Sequence, residues 1–298
     1  MKTEDFELFS VLVKQRSGLV LTPDKTYLLE SRLMPVARKW NLKSVEDIAN
    51  AIRARRDEIL LRDVTEAMTT NETFFFRDIK PFDQFRKIVL PELARARAAK
   101  KQIRIWSAAA SSGQEAYSLA MIFAEEAPKF NDWKIEIIGT DLSSEMVERA
   151  KRGIYSQFEV QRGLPVTMLV KYFSQIGTDR WQIKENIRQM VQFREGNLLL
   201  DLGPIGIFDA IFCRNVLIYF DHPTKARVLE DISKIMAPDG VLFLGGAETV
   251  IGVTDRFKPL EGERGMYVLS GREVPLAKIV SSQPLQPSQG QQQHAAGV

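Results

Sequence analysis

The spacing of hydrophobic positions changes at about residue 80. Before it, Phe6, Phe9 and Val13 recur on one helical face, and Gly18 closes the segment. Thr22 followed by Pro23 predicts an N-cap with proline in the first helical turn. Leu29, Leu33, Val36 and Trp40 continue at helical spacing, with Pro35 expected to kink or shorten that helix. Ser44 and Asp47 resemble a capping box that opens a third helix. A fourth is expected from about Asp57 to Thr69, with Ile59 or Leu60, Val64 and Ala67 turned inward. Residues 1–80 therefore read as a small all-helical domain.

From Pro81 the pattern changes. A helix through FDQFRKIVLPELARARAAK leads into the apolar runs IRIWS, KIEIIGTD, VQFREGN, FDAIFCRN and VLFLGGAE. Helices are expected between them at about residues 116–127, 143–152 and 223–236. Strands that are apolar throughout and alternate with helices predict an α/β fold, a parallel sheet covered on both faces, over residues 81–271. A last run, GMYVLSG, is expected to add an edge strand. The connection from Arg152 to Val191 far exceeds the usual ~2–6 residues. The β-like alternation in RWQIKENIRQMVQF predicts a small antiparallel subdomain inserted at 155–190. Residues 272–298 are mostly Gln, Pro, Ser and Gly, the composition of a disordered tail.

Composition narrows the function classes. The 298 residues are 45% hydrophobic and 27% charged, ordinary values for a globular protein, and the net charge of +3 is no nucleic-acid signature. The first residues mix acids with apolar positions, unlike a signal peptide, and no apolar run nears the ~20 residues of a membrane span. A single cysteine, Cys213, excludes an internal disulfide and points to a reducing compartment. With two histidines and no cysteine cluster, a metal site is not expected.

In an open parallel sheet, ligands bind beyond the carboxyl ends of the strands. The polar residues expected there are Ser107 to Glu115, Asp141, Asn197, and Arg214 with Asn215. The stretch IRIWSAAASSGQEAYSLA has the strand–turn–helix layout of a nucleotide loop, yet it carries one glycine and no lysine. It is neither a dinucleotide fingerprint nor a P-loop. Asp141 could accept both hydroxyls of a ribose, or it could cap the following helix, a role Ser143 could fill instead. A nucleoside with a zwitterionic tail and no phosphates, S-adenosylmethionine, fits this set, with Glu115 placed to hold its ammonium group. TTNETFFFRD lies at the junction of the two domains. Its three consecutive phenylalanines cannot share one amphipathic face, so at least one packs in an interdomain seam or against a ligand, with Asn71, Thr73 and Arg77 as donors beside it. The alternative is a plain hydrophobic hinge.

Taken in order, TTNETFFFRD, WSAAASSGQEAYS, GTDLS, AxxGIY, EGNLL and FDAIFCRNVLIYF closely resemble the chemotaxis receptor methyltransferases, the CheR family, over about residues 5–270. The resemblance implies a helical N-terminal domain, a Rossmann-like methyltransferase domain and an inserted β-subdomain. It implies cytoplasmic enzymes that methylate glutamates of a chemoreceptor helical bundle from S-adenosylmethionine, releasing S-adenosylhomocysteine, with neither nucleic acid nor membrane insertion involved. Carried over by motif, Asn71, Thr73 and Arg77 would contact the cofactor. Glu115 and Asp141 would hold its methionine and ribose portions, Asn197 and Leu198 would edge the adenine, and Arg214 with Asn215 would close the site. Tyr219 and Arg77 resemble the residues nearest the transferred methyl.

Two departures stand out. Gln114 replaces the first of two glutamates common in the family. The segment KYFSQIGTDRWQIKEN is shorter than the glycine-rich hairpin of members that dock on a receptor C-terminal peptide, which implies docking independent of such a peptide. Cys213 is expected to be a buried strand residue and His222 a structural one. Lys25, Arg32 and Lys39 step by seven along the second helix, either as a receptor-facing flank or as a solvated one. Two other classes compete with this reading. An amino-methylating DNA enzyme would carry an Asn/Asp-Pro-Pro-aromatic run where this chain has Arg214-Asn215-Val216-Leu217, and a non-catalytic sensor would bind S-adenosylmethionine without turnover.

Overall fold

Four helices form where the helical period runs: α1 (Thr3–Ser17), α2 (Thr26–Lys39), α3 (Val45–Ala54) and α4 (Glu58–Ala67). They belong to a computed structural model that describes residues 1–271. The expected tail, residues 272–298, lies outside the described residues. Helix α1 stops as foreseen, with Gly18 in the left-handed region at φ 79°. A Cβ at Gly18 would lie 3.1 Å from Phe220 and Thr224, so glycine also permits a close approach to the sheet domain.

Details of the second helix differ from expectation. Thr22 makes no capping bond, and Pro23–Lys25 instead form a 3₁₀ turn ahead of α2. Pro35 does not shorten α2, which continues to Lys39, because burial of Leu29, Leu33 and Val36 outweighs one lost i→i−4 bond. Ser44 does cap α3, accepting from the Asp47 amide at 3.1 Å. The Asp47 carboxylate, however, reaches back to the Lys43 amide, one residue beyond a capping-box partner. Asp57 caps α4, and of the two candidates Leu60 is buried while Ile59 is 56% exposed.

The long helix expected after Pro81 is divided into α5 (Lys80–Gln84), a π turn at Phe85–Val89 and α6 (Leu90–Ala96). Pro91, which cannot donate to the preceding turn, sits at the start of α6. The sheet region follows as β1 (Gln102–Ala108), α7 (Gln114–Glu125), α8 (Ala127–Phe130), β2 (Lys134–Asp141) and α9 (Ser144–Arg152). The insertion comprises β3 (Ile154–Ser156), α10 (Gln157–Gln161), α11 (Val166–Tyr172), β4 (Phe173–Ile176), β5 (Arg180–Ile183) and α12 (Glu185–Arg188). The chain closes with β6 (Val191–Glu195), β7 (Phe208–Cys213), α13 (His222–Lys234), β8 (Met236–Leu244), β9 (Phe257–Pro259) and β10 (Met266–Leu269).

The main sheet has the order β6-β2-β1-β7-β8-β10-β9. Its first five strands are parallel, and β10 runs antiparallel to β8 and β9. Strand β10 is thus not the edge it was expected to be. The edge is β9, whose three residues carry no alternation to read. The insertion forms a separate antiparallel sheet, β3-β5-β4. The alternation in RWQIKENIRQMVQF does not mark one strand: it spans β5, the helix α12 and the main-sheet strand β6.

Strand β1 pairs with β2 on one side and β7 on the other, so the strand order reverses there and opens a crevice at the carboxyl ends. One face of the sheet packs with α5 to α7 and the insertion. On the other face, Phe9, Leu29 and Leu33 of the helical domain share one contiguous core with Ile211, Leu229 and Leu242.

Candidate functional site

The loop after β1 obtains its tight turn almost without glycine. Gly113 has φ 95°, and Ala109 and Ser111 also take positive φ, at 54° and 51°. Such left-handed non-glycine residues cost on the order of 1–3 kcal/mol each and cluster at functional sites. Gly113 itself could not be larger, because a Cβ would lie 2.9 Å from the Phe193 ring.

Asp141, at the end of β2, is buried. Its Oδ2 accepts from the Ser111 amide at 2.7 Å and its Oδ1 from the Ser143 amide at 2.9 Å. Ser143, not Asp141, caps α9, accepting from the Met146 amide at 3.4 Å. Burial pushes the Asp141 carboxyl above its ordinary value, against the pull of those two amides. Each oxygen retains a lone pair for a further donor.

Glu115, in the first turn of α7, takes Ser107 Oγ on Oε1 and Arg214 Nη1 on Oε2, both at 2.8 Å. Burial raises its carboxyl above the ordinary range, and Arg214 opposes that shift. Arg214, at the end of β7, also donates from Nη2 to the Arg77 carbonyl at 2.8 Å and to Asp78 Oδ2 at 2.7 Å. Its Nε is a buried donor with no acceptor among the described residues. The pair thus sets a carboxylate and a guanidinium side by side, suited to the ammonium and carboxylate of an amino-acid tail.

The junction segment is a seam and not a hinge. Phe75 packs edge-on to Tyr155 and Phe173 of the insertion, with ring centres 5.0 and 5.5 Å away. Phe76 packs on Phe82 at 5.3 Å, facing the sheet core. Phe74 lies between two cations, Arg77 at 5.5 Å and Arg162 at 4.4 Å. Three adjacent rings therefore serve three directions. Beyond them Asp78 and Ile79 hold positive φ, 68° and 48°, a marked outlier for a β-branched residue. Arg77, half-buried, donates from Nη1 to the Glu72 carbonyl at 2.7 Å, and Glu72 pairs with Arg162 at 2.6 Å.

The remaining residues complete one cavity of about 890 Å³, counted out to the solvent at its mouth. Asn71, Thr73, Arg77 and Tyr219 line it together with Glu115, Asp141, Asn197, Leu198, Arg214 and Asn215. Ser111 Oγ fixes the Asn71 carbonyl at 2.8 Å, and Asn197 Nδ2 donates to the Arg16 carbonyl at 2.7 Å. Sequence reasoning missed the wall supplied by Ser17, Leu19 and Phe220. Its only signal was the helix stop at Gly18, since the Leu19–Phe220 bridge joins segments two hundred residues apart in sequence.

Cys213 is buried, and burial, with Glu248 and Glu115 nearby, holds its thiol well above the ordinary value and therefore protonated. His222 contacts the Gly252 carbonyl at 2.7 Å. Of the basic flank, Lys25 is exposed in the 3₁₀ turn ahead of α2, while the other two cations are engaged within the domain. Arg32 donates to the Met68 and Thr69 carbonyls at 2.7 and 3.0 Å and to Thr70 Oγ1 at 3.1 Å, while Lys39 pairs with Asp63 at 2.8 Å.

Two family descriptions match the chain: "CheR methyltransferase, SAM binding domain" over residues 71–266, and "CheR methyltransferase, all-alpha domain" over residues 4–69. Chemotaxis protein methyltransferase 1 of Pseudomonas aeruginosa is 41% identical over 265 residues, covering 88% of this chain and 96% of that protein. The chemotaxis protein methyltransferase of Vibrio anguillarum is 38% identical over 265 residues, covering 88% and 95%. That of Borreliella burgdorferi is 34% identical over 246 residues, covering 81% and 86%.

Proposed function

Because the chain belongs to the CheR family of S-adenosylmethionine-dependent chemotaxis protein methyltransferases, we propose that it esterifies glutamate side chains on the cytoplasmic helical bundle of chemoreceptors. The observation that carries this reading is the meeting of Asp141, the Glu115–Arg214 pair, Arg77 and Tyr219 around one cavity. When bound, S-adenosylmethionine supplies an electrophilic methyl on a sulfonium and leaves as S-adenosylhomocysteine.

In this reading Asp141 accepts from the ribose, Glu115 faces the ammonium, and Arg214 with Asn215 closes the tail end. Asn197 and Leu198 edge the adenine, and Asn71 and Thr73 add contacts from the seam. A substrate glutamate, which ordinarily titrates near ~4.3, is already ionised at neutral pH, so the chain needs no general base. Its task is orientation and exclusion of water. Arg77 and Tyr219 orient the substrate carboxylate at the cavity rim. Arg77 does so on a backbone held by Arg214, with its guanidinium braced by Glu72 and Phe74.

On this reading residues 1–80 supply one wall together with Asn71, Thr73 and Arg77, and residues 81–271, with 155–190 inserted, supply the rest of the site. No described helix is long and apolar enough to cross a membrane. The β4–β5 hairpin turns at Gly177 between strands of four residues, and this short connection supports methylation without docking on a receptor C-terminal peptide.

The test is transfer of tritiated methyl to receptor-containing membranes, with base-labile counts reporting esters. Base-labile label on receptors, at equal rates with and without their C-terminal tails, is expected. Tight cofactor binding without any transfer would favour a sensor, and base-stable label would refute glutamate esters.

A further inference from the structure

Glu248 has no part in the chemistry described so far, yet it is buried, with its carboxylate against the backbone of the loop after β7 that lines the cavity. It follows the turn that ends β8, and both of its oxygens are committed to backbone amides. Oε2 accepts from Gly245 at 2.6 Å and Asn215 at 2.8 Å, and Oε1 accepts from Val216 at 2.9 Å and Ile218 at 3.3 Å. Three of those four amides lie in the loop after β7, the loop that places Arg214, Asn215, Val216 and Tyr219 along the cavity. Asn215 is held there at φ 58°, a conformation that needs outside support in a non-glycine residue.

Successive backbone amides in such a turn form an anion-binding concavity. Here the anion is built in. The fit leaves no room beside it: a Cβ on Gly245 would lie 2.7 Å from Glu248 Oε2 and 2.8 Å from Asn215 Nδ2. We propose that Glu248 is a positioning residue for methyl transfer, an internal anion that fixes the Asn215–Tyr219 wall against the cofactor and the substrate glutamate. This rests on the reading that the cavity takes S-adenosylmethionine.

The strongest test is Glu248→Gln, which keeps the shape and replaces one oxygen by an NH₂ group. Because each oxygen takes two amides, either orientation turns a donor towards two backbone donors. The Asn215 loop must then shift to find other partners, while the sheet beneath it stays intact. Glu248→Asp keeps the charge but is one methylene shorter. Gly246→Ala is the control, because a Cβ there meets nothing within 4 Å.

Binding of S-adenosylhomocysteine is measured by calorimetry well below each variant's melting temperature, and kcat and KM by methyl transfer. Wild type and Gly246→Ala should behave alike. Glu248→Gln should weaken binding and raise KM by about tenfold or more, with kcat also lowered, and Glu248→Asp should recover part of the loss. A merely structural role would lower the melting temperature and leave affinity and KM of the folded protein unchanged, and that result in Glu248→Gln overturns the proposal. Should Glu248→Gln not fold, wild-type affinity and KM in folded Glu248→Asp would overturn it equally. Failure of wild type to bind S-adenosylhomocysteine would instead overturn the underlying assignment of the cavity.

Discussion

Replacing Asp141 by asparagine tests the centre of the site with the smallest change in shape. Asp141 holds two backbone amides, at 2.7 and 2.9 Å, inside a buried crevice. The asparagine oxygen can keep one of them, and its NH₂ then faces the other. One unsatisfied buried amide costs about 1–3 kcal/mol of stability. Taken alone that lowers Tm by several degrees in a chain of this size, at roughly 2–4 °C per kcal/mol, offset in part by removal of the buried charge. Loss of a charge-assisted bond to a ribose hydroxyl costs a further ~1.5–3 kcal/mol of affinity, or about ten- to 150-fold.

The two effects separate in a cycle measured by calorimetry, with wild type and Asp141→Asn each titrated with S-adenosylhomocysteine and its 2′-deoxy analogue. If the carboxylate holds the ribose, removing the hydroxyl should hurt the wild type much more than the variant. Losses that add to within ~0.3–0.5 kcal/mol would refute the ribose contact, as would unchanged affinity in the folded variant. Acid gives an independent handle. Burial raises the Asp141 carboxyl above 3.8 and the Glu115 carboxyl above its ordinary range, so the wild type should lose affinity on acidification through both groups and the variant through Glu115 alone, with a shallower fall. For stability the sign is opposite to that of a paired carboxylate: the cost of the buried charge is absent below 3.8 and appears as pH rises through the raised value.

Three further outcomes are expected. Arg77→Ala should lower kcat more than it weakens cofactor affinity, since misplacing a group by ~1 Å can cost ~100-fold, with Arg77→Lys only partly restoring turnover; paired calorimetry and initial rates decide it. Arg32→Ala, which frees the carbonyls just ahead of Asn71, should destabilise the protein by about 1–3 kcal/mol and weaken cofactor binding several-fold without changing the KM for receptor, the reverse of what a docking residue would show. Lys14 holds the Asp221 carboxyl down at about 2, so its contribution is full above 3.8 and lost as pH falls through about 2. With this pair at the surface that amounts to about 0.5–1 kcal/mol, visible as a shallower acid limb of Tm in Lys14→Gln.

The parts of the fold that announce themselves through one short window were legible in the sequence. Buried strands such as FDAIFC, helix faces such as Phe9 and Val13, and the Asn71, Glu115, Asp141 and Arg214 positions at motif or strand ends all fall in one window each. What was not legible depends on contacts between distant windows. The free-looking charges of Arg32 and Lys39 are satisfied from α4 and the residues just after it. Three-residue β9 has no pattern of its own and exists because β10 lies beside it. The left-handed turns at Ala109 and Ser111 run against residue preference, so no reading of glycines could have placed them. Glu248 carried no signal of its own in the sequence, because the four amides it binds come from both sides of a gap of about thirty residues.

The wall formed by Ser17 and Leu19 has a kinetic meaning. A ligand in this cavity lies between the end of α1 and the tips of the strands, and the two sides are joined by Lys14–Asp221 at 2.7 Å, Asn197 to the Arg16 carbonyl at 2.7 Å and Ser144 to Glu66 at 3.0 Å. Any opening of that side must part those ties. The same ties hold the helical domain to the sheet, so resistance to heat and speed of product release draw on one set of bonds. Strengthening them should raise the melting temperature and, where release past that side limits turnover, slow it; loosening them should do the reverse.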